Sequence, residues 1–168
     1  MRKTHTKTLP GYTLLEIMII IIIIGVASGI LLTGLGTGQA EREVEAASRE
    51  LVGALREAQG YALTGRQIVA NTDPCRFQVS WGGGTYSLTY WYKDSSGVCN
   101  QSSAIGTYTL KRGVAFSNTS AFYFTLPHAG VSFGGASAGA IVSKAGITRT
   151  ACTYADGRIQ DVSGGSCP

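Results

Sequence analysis

One carboxylate lies at the start of the most apolar stretch of this chain. After Glu16 no charged residue follows until Glu41, and residues 19–24 are six consecutive isoleucines. A carboxylate at the edge of such a segment costs a few kcal/mol unless it is paired or solvated, so it is a functional candidate by default. The alternative is an interfacial glutamate that lipid headgroups solvate. The apolar segment alone leaves both interpretations of Glu16 open.

Four cysteines form the second set of residues with chemistry, and all of them lie in the last hundred residues. Pairing of sequence neighbours gives Cys75–Cys99 and Cys152–Cys167, and the other two connectivities remain open. A zinc site favours close ligand pairs such as Cys-x-x-Cys, and neither spacing offers one. If this part of the chain lies outside the cytoplasm, its four cysteines predict two disulfides.

Basic residues make up the third set. From Arg66 onward the chain has eight Lys and Arg against four Asp, a net charge of +4. Lys144, Arg149 and Arg158 are close in sequence and would converge if their strands were neighbours, which would suit a polyanion such as DNA. The alternative, which we favour, is scattered charge that keeps the surface soluble.

The sequence contains no convincing catalytic constellation. His128 follows Pro127 and is typical of a turn, and Gly82–Gly84 separates two strand patterns with no helix after it, so a phosphate-binding loop is disfavoured. We predict that the protein is not an enzyme and that it holds neither a cofactor nor a metal.

The apolar stretch predicts the element that carries Glu16. A helix rises about 1.5 Å per residue, so about 20 residues cross the hydrocarbon core of a bilayer, and residues 17–39 meet that length. Residues 1–11 form a basic leader that ends in Pro10-Gly11. The apolar run continues directly into an amphipathic helix, so we expect residues 12–40 to be a transmembrane helix of the mature protein rather than a removed signal peptide.

Residues 41–65 predict an amphipathic helix that packs on a β-rich head, residues 66–168. Its apolar residues recur at spacings of three and four, and it should end near Thr64-Gly65. The strongest hairpin pattern is 76–81 with 85–91. The other predicted strands are 108–110, 114–116, 122–125, 140–143, 148–154 and 158–162. The expected class is α+β, with one long helix packed on antiparallel strands.

The segment Pro10-Gly11-Tyr12-Thr13-Leu14-Leu15-Glu16 resembles the class III leader of type IV pilins and of the pseudopilins of type II secretion. The resemblance implies the pilin fold and cleavage after Gly11 by a prepilin peptidase. It also implies N-methylation of Tyr12, where the family usually has Phe. Glu16 would pair with the N-terminal amine of a neighbouring subunit. The protein would cross the inner membrane once, with its head in the periplasm, and would then join other pilins in a filament.

The head is similar to that of the GspH/FimT family of minor pilins and pseudopilins, through residues 124–130, 139–143 and Gly157-Arg158-Ile159. This resemblance implies a minor type IV pilin of the tip or initiation complex, or alternatively an H-type minor pseudopilin of type II secretion. Some FimT-like members bind DNA through Gly-Arg-x-Arg, which would suit DNA uptake in transformation. Here the fourth residue is Gln160 rather than Arg.

Overall fold

A computed structural model of the chain describes residues 12–133 and 139–168, without the side chains of residues 30–37 and 133. One long helix, α1 (Leu14–Thr64), precedes a run of strands. The strands are β1 (Pro74–Gly82), β2 (Thr85–Lys93), β3 (Cys99–Thr109), β4 (Ala115–Phe116), β5 (Ser120–Thr125), β6 (Gly130–Phe133), β7 (Gly139–Lys144), β8 (Ile147–Thr153) and β9 (Ile159–Ser163). The predicted leader, residues 1–11, lies outside the described residues.

The described strands form two antiparallel sheets. The larger sheet has the order β3-β2-β1-β5-β6 and the smaller one the order β4-β7-β8-β9. The chain also divides into two compact units, with the boundary between Gly38 and Gln39 inside α1. The fold is α+β with antiparallel sheets, which confirms the predicted class at this level.

The first unit contains the start of α1. Among the residues whose side chains are described, no helix is both long enough and apolar enough to span a membrane. The predicted transmembrane half, residues 12–40, includes residues 30–37, so that half stays a prediction.

The second unit is built around the amphipathic half of α1. Among the described side chains of α1, those with no solvent exposure are Val44, Ser48, Leu51, Leu55, Ala58 and Ala62. They recur every three or four positions, so they form one stripe along the helix, and all but Ser48 belong to the main apolar cluster. Both sheets contribute to that cluster, with Phe77, Tyr90 and Phe122 from the larger sheet and Val142 and Ala151 from the smaller. The predicted apolar stripe is confirmed.

Helix α1 ends where the sequence predicts. Gly65 adopts a φ of +60°, which a residue without a Cβ reaches at little cost. The N–H of Arg66 donates to the carbonyl of Tyr61 at 3.1 Å. This bond closes the last turn as in a Schellman motif, so Gly65 stops the helix and turns the chain toward the head.

The hairpin of β1 and β2 matches the predicted pattern. Trp81 pairs with Tyr86 and Gly82 with Thr85, which leaves Gly83 and Gly84 as the turn. Inward residues of both strands are buried at every second position, and the outward ones are partly exposed. Two strands differ from the expectation: β3 begins at Cys99, nine residues before the predicted strand, and β6 has no predicted counterpart.

The buried stripe of α1 should dominate the stability of the head. Leu51→Ala removes a side chain with no exposure and should lower the free energy of unfolding by about 3 kcal/mol, because a cavity remains. Leu63→Ala is the matched control on the same helix, since Leu63 is 60% exposed, and it should change stability by less than about 0.5 kcal/mol. Denaturant unfolding followed by circular dichroism measures both. Equal losses would contradict the assigned packing.

Candidate functional site

The first turn of α1 is capped by the residue that precedes it. The backbone N–H of Glu16 donates to the side-chain hydroxyl of Thr13 at 3.3 Å and to the Thr13 carbonyl at 3.1 Å. Thr13-Leu14-Leu15-Glu16 has the Ser/Thr-x-x-Glu spacing of a capping box, a signal that our sequence analysis missed. Thr13 therefore caps the helix through the backbone of Glu16, and the Glu16 side chain is exposed. Of the predicted cleavage pair, Tyr12 is exposed and Gly11 lies outside the described residues.

The start of α1 exposes large apolar side chains in succession. Between Tyr12 and Val26 these side chains are 41–80% exposed, and they include Leu14, Leu15, Ile17, Met18 and residues 19–24. Consecutive positions cover every side of a helix, so this is not one apolar stripe. A helix that is apolar all round is stable in its working state when lipid or protein covers it.

Lys144 is paired with a buried carboxylate of α1. Its ammonium lies 2.6 Å from Oε2 of Glu43, whose side chain is only 7% exposed, and it also donates to the carbonyl of Arg112. Arg112 lies 3.5 Å from the other carboxylate oxygen, and Gln39 donates to that oxygen at 3.2 Å. The hydrogen bond from Lys144 lowers the pKa of Glu43, which burial partly opposes. Lys144 thus ties the end of β7 to the helix.

Arg149 makes a second connection of the same kind. Its guanidinium lies 2.8 Å from Asp161 of β9 and 3.3 Å from Glu45 of α1. The other oxygen of Asp161 accepts a 2.6 Å hydrogen bond from the buried Ser48 hydroxyl. Helix α1, β8 and β9 are therefore joined by one network of charged and polar groups.

Arg158 lies apart from the other two basic candidates. It precedes β9 where Ile159 pairs with Thr153, at the end of β8, whereas Lys144 lies opposite Ile147, at the start. It bonds to Asp156 at 3.2 Å and stacks over Tyr154, and both members of the ion pair are exposed. The structure thus brings Lys144 and Arg149 together at the helix, each against a carboxylate, and leaves Arg158 at the other end of the sheet.

Both disulfides have the sequence-local pairing. Cys75–Cys99 joins the starts of β1 and β3 across β2, and Cys152–Cys167 ties the C-terminal tail to β8. A Cβ added to Gly139 would lie 2.5 Å from the Sγ of Cys167, so the second disulfide needs a glycine there. Among the described residues no group of three His, Cys, Asp or Glu side chains could hold a metal ion.

Comparison of the chain with protein-family models, with curated proteins and with solved structures finds no significant match. The resemblance to pilins therefore rests on the residues of the leader and head motifs alone.

Loss of Arg149 should destabilise the head. Arg149→Ala leaves the partly buried Asp161 without its cation and leaves Glu45 with Arg49 alone, and should lower the free energy of unfolding by about 1–3 kcal/mol. Arg158→Ala is the control from the same candidate set. Its ion pair is exposed, so the loss should stay below about 1 kcal/mol. Denaturant titrations of both variants test the assignment, which equal values would refute.

The head should lose stability in acid through Glu43. A carboxyl whose pKa is lowered on folding stabilises the fold above its ordinary value, 4.5 here, and that contribution disappears as the pH falls through the lowered value. Asp94, whose pKa is lowered by hydrogen bonds in the β2–β3 turn, acts in the same direction. Glu43→Gln should therefore flatten, but not abolish, the fall in melting temperature below about pH 4.5. An unchanged profile in this variant would contradict the role of Glu43.

Proposed function

We propose that this protein is a minor type IV pilin. The first half of α1 would pack among the helices of other subunits in the filament core, and the head would lie on the filament surface. The observation that carries the proposal is the contrast along one helix. From Val44 to Ala62 its stripe is buried under the two sheets, whereas from Leu14 to Val26 its apolar side chains are exposed. The segment from Leu14 to Val26 has the composition of a helix that other molecules cover, and the segment from Val44 to Ala62 anchors the head.

The leader motif gives this contrast a mechanism. Cleavage after Gly11 would create a new amine at Tyr12, four residues before Glu16. Within a filament of apolar helices, a carboxylate and an amine of neighbouring subunits are each other's best partners. A misplaced subunit would leave both charges unpaired, so the pair would set the register.

The two other candidate functions are an H-type minor pseudopilin and a DNA receptor, and the structure gives less support to the second. An H-type minor pseudopilin would use the same helix and the same Glu16 in a periplasmic filament, so it remains the alternative. A DNA receptor has less support, because Lys144 and Arg149 are paired with carboxylates of the head and Arg158 lies at the far end of β8.

Substitutions at Glu16 separate charge pairing from helix capping. If Glu16 pairs with an amine, both Glu16→Ala and Glu16→Gln should reduce incorporation into filaments at least tenfold, because each removes a charge whose partner stays in an apolar surrounding. If Glu16 only caps the helix, Gln should serve nearly as well as Glu at this position. Thr13→Ala is the reciprocal control, since it removes the cap and keeps the carboxylate.

Incorporation is measured by immunoblot of the sheared surface fraction, normalised to the protein in the envelope. Wild type and Thr13→Ala should appear in the filament fraction, and both Glu16 variants should remain in the envelope. Wild-type incorporation of Glu16→Gln would overturn the pairing role. Wild-type protein that never leaves the envelope of cells with surface pili would favour the pseudopilus.

A further inference from the structure

The outer face of the larger sheet points away from the core and carries an unusual set of side chains. Its outward positions in the three central strands are Arg76, Gln78 and Ser80 in β1, Ser87, Thr89 and Trp91 in β2, and Ala121, Tyr123 and Thr125 in β5. No aliphatic side chain larger than that of Ala121 occurs among them. We refer to these nine residues as the outer sheet face.

Arg76 lies on the middle strand at one end of this face, between two aromatic rings. Its guanidinium carbon is 4.3 Å from the ring centroid of Trp91 and 5.0 Å from that of Tyr123. The indole N–H of Trp91 donates to Gln78 at 2.8 Å, which holds the first ring in place. Stacking on two rings fixes the plane of the guanidinium and leaves its edge as the part that can donate hydrogen bonds.

The charge of Arg76 has no counter-charge within the described part of the chain. None of the ion pairs there includes Arg76, and its buried Nε has no hydrogen-bond acceptor. The five strands of this sheet contain no aspartate or glutamate. Their other cation, Lys93, is paired with Asp73 at 2.7 Å. A cation held rigidly without an anion is suited to an anionic ligand.

The surrounding groups indicate what else the ligand carries. Ser80 and Ser87 share a 2.8 Å hydrogen bond, and Gln78 and Thr89 add further polar groups beside the rings. Hydroxyl and amide groups next to aromatic side chains can bind the hydroxyls and the apolar C–H surfaces of sugars. A carboxylate matches the planar edge of the guanidinium in a bidentate pair.

We propose that the outer sheet face binds an acidic saccharide, with Arg76 pairing its carboxylate and with Trp91 and Tyr123 contacting the sugar rings. Nucleic acid fits less well, because affinity for a phosphate backbone comes from several cations and this face offers one. Protein interfaces also favour Arg, Trp and Tyr, but their buried core is apolar, whereas the other six residues of this face are small or polar, so a protein partner fits less well. The Cys75–Cys99 disulfide, next to Arg76, braces β1 and β3 around the site.

The test is calorimetric titration of the full chain, purified in detergent, with an oligogalacturonate. The matched probe is the same oligomer with its carboxylates methyl-esterified, which keeps the rings and most hydroxyls and removes the charge. Binding of the acid form should be at least tenfold tighter than binding of the ester, because a charge-assisted bidentate pair is lost in the ester. Binding requires only a folded head, so the result of this titration is independent of whether the protein enters a filament.

Variants assign the binding to the site. Arg76→Gln should reduce affinity for the acid form at least tenfold, and Arg76→Lys should not restore it, because an ammonium lacks the planar fork. Arg66→Gln is the matched control, since it removes a guanidinium that stacks over one ring, that of Tyr61 on the helix, and it should leave affinity unchanged. Melting temperatures of all three variants verify folding, and Arg76→Lys supplies the test if Arg76→Gln does not fold.

Three outcomes would overturn the proposal. One is equal affinity for the acid and its ester, and another is no binding of either by the folded protein. The third is a duplex DNA oligomer that binds more tightly than the saccharide and whose binding Arg76→Gln abolishes, which would assign the face to nucleic acid.

Discussion

The packing of one helix stripe against two sheets is the constraint on which the head depends. The inner faces of both sheets and the stripe of α1, which has Leu51 and Leu55 near its middle, form one apolar cluster. Each sheet therefore needs the helix to bury its inner face. Polar contacts line the stripe on both sides. Glu50 accepts a hydrogen bond from Tyr86 of the larger sheet, and Glu43 and Ser48 bond to the smaller one. Burial of Tyr86, together with that bond, raises the pKa of its hydroxyl.

This arrangement changes how the charges of the head are interpreted. Lys144 and Arg149 look like a basic surface in the sequence, but each neutralises a carboxylate and holds a strand to the helix. Arg76 is the opposite case. In the sequence no other basic residue lies near it, and in the structure it lies on the outer sheet face over Trp91 without a paired carboxylate among the described residues. The basic residues that are close in sequence are therefore paired within the head, and the isolated one is unpaired. Sequence proximity does not show this, because a partner can lie about a hundred residues away, as Glu43 does from Lys144.

The sequence predicts features that depend on neighbouring residues and misses those that depend on residues far apart in the chain. The helix stripe, its end at Gly65, the hairpin around Gly83 and both disulfides come from local patterns, and the structure agrees with each. The sequence pattern did not predict most of β3, because most of its residues are polar or exposed and they do not alternate with apolar ones. Its pairing with β2 makes it a strand. The capping role of Thr13 was readable from its spacing to Glu16. The partners of Lys144 and Arg149 were not, since no local rule brings β7 and β8 onto α1.

Helix α1 thus has a part that the head buries, from Val44 to Ala62, and a part with exposed apolar side chains, from Leu14 to Val26, which contains Glu16 near its start. The proposed function depends on the processing of the chain as a pilin. The most direct measurement of that processing is mass spectrometry of the N-terminal peptide from protein isolated from the cell envelope. We predict a peptide that begins at Tyr12 and carries one added methyl group. An intact Met1, or cleavage at any position other than after Gly11, would contradict it.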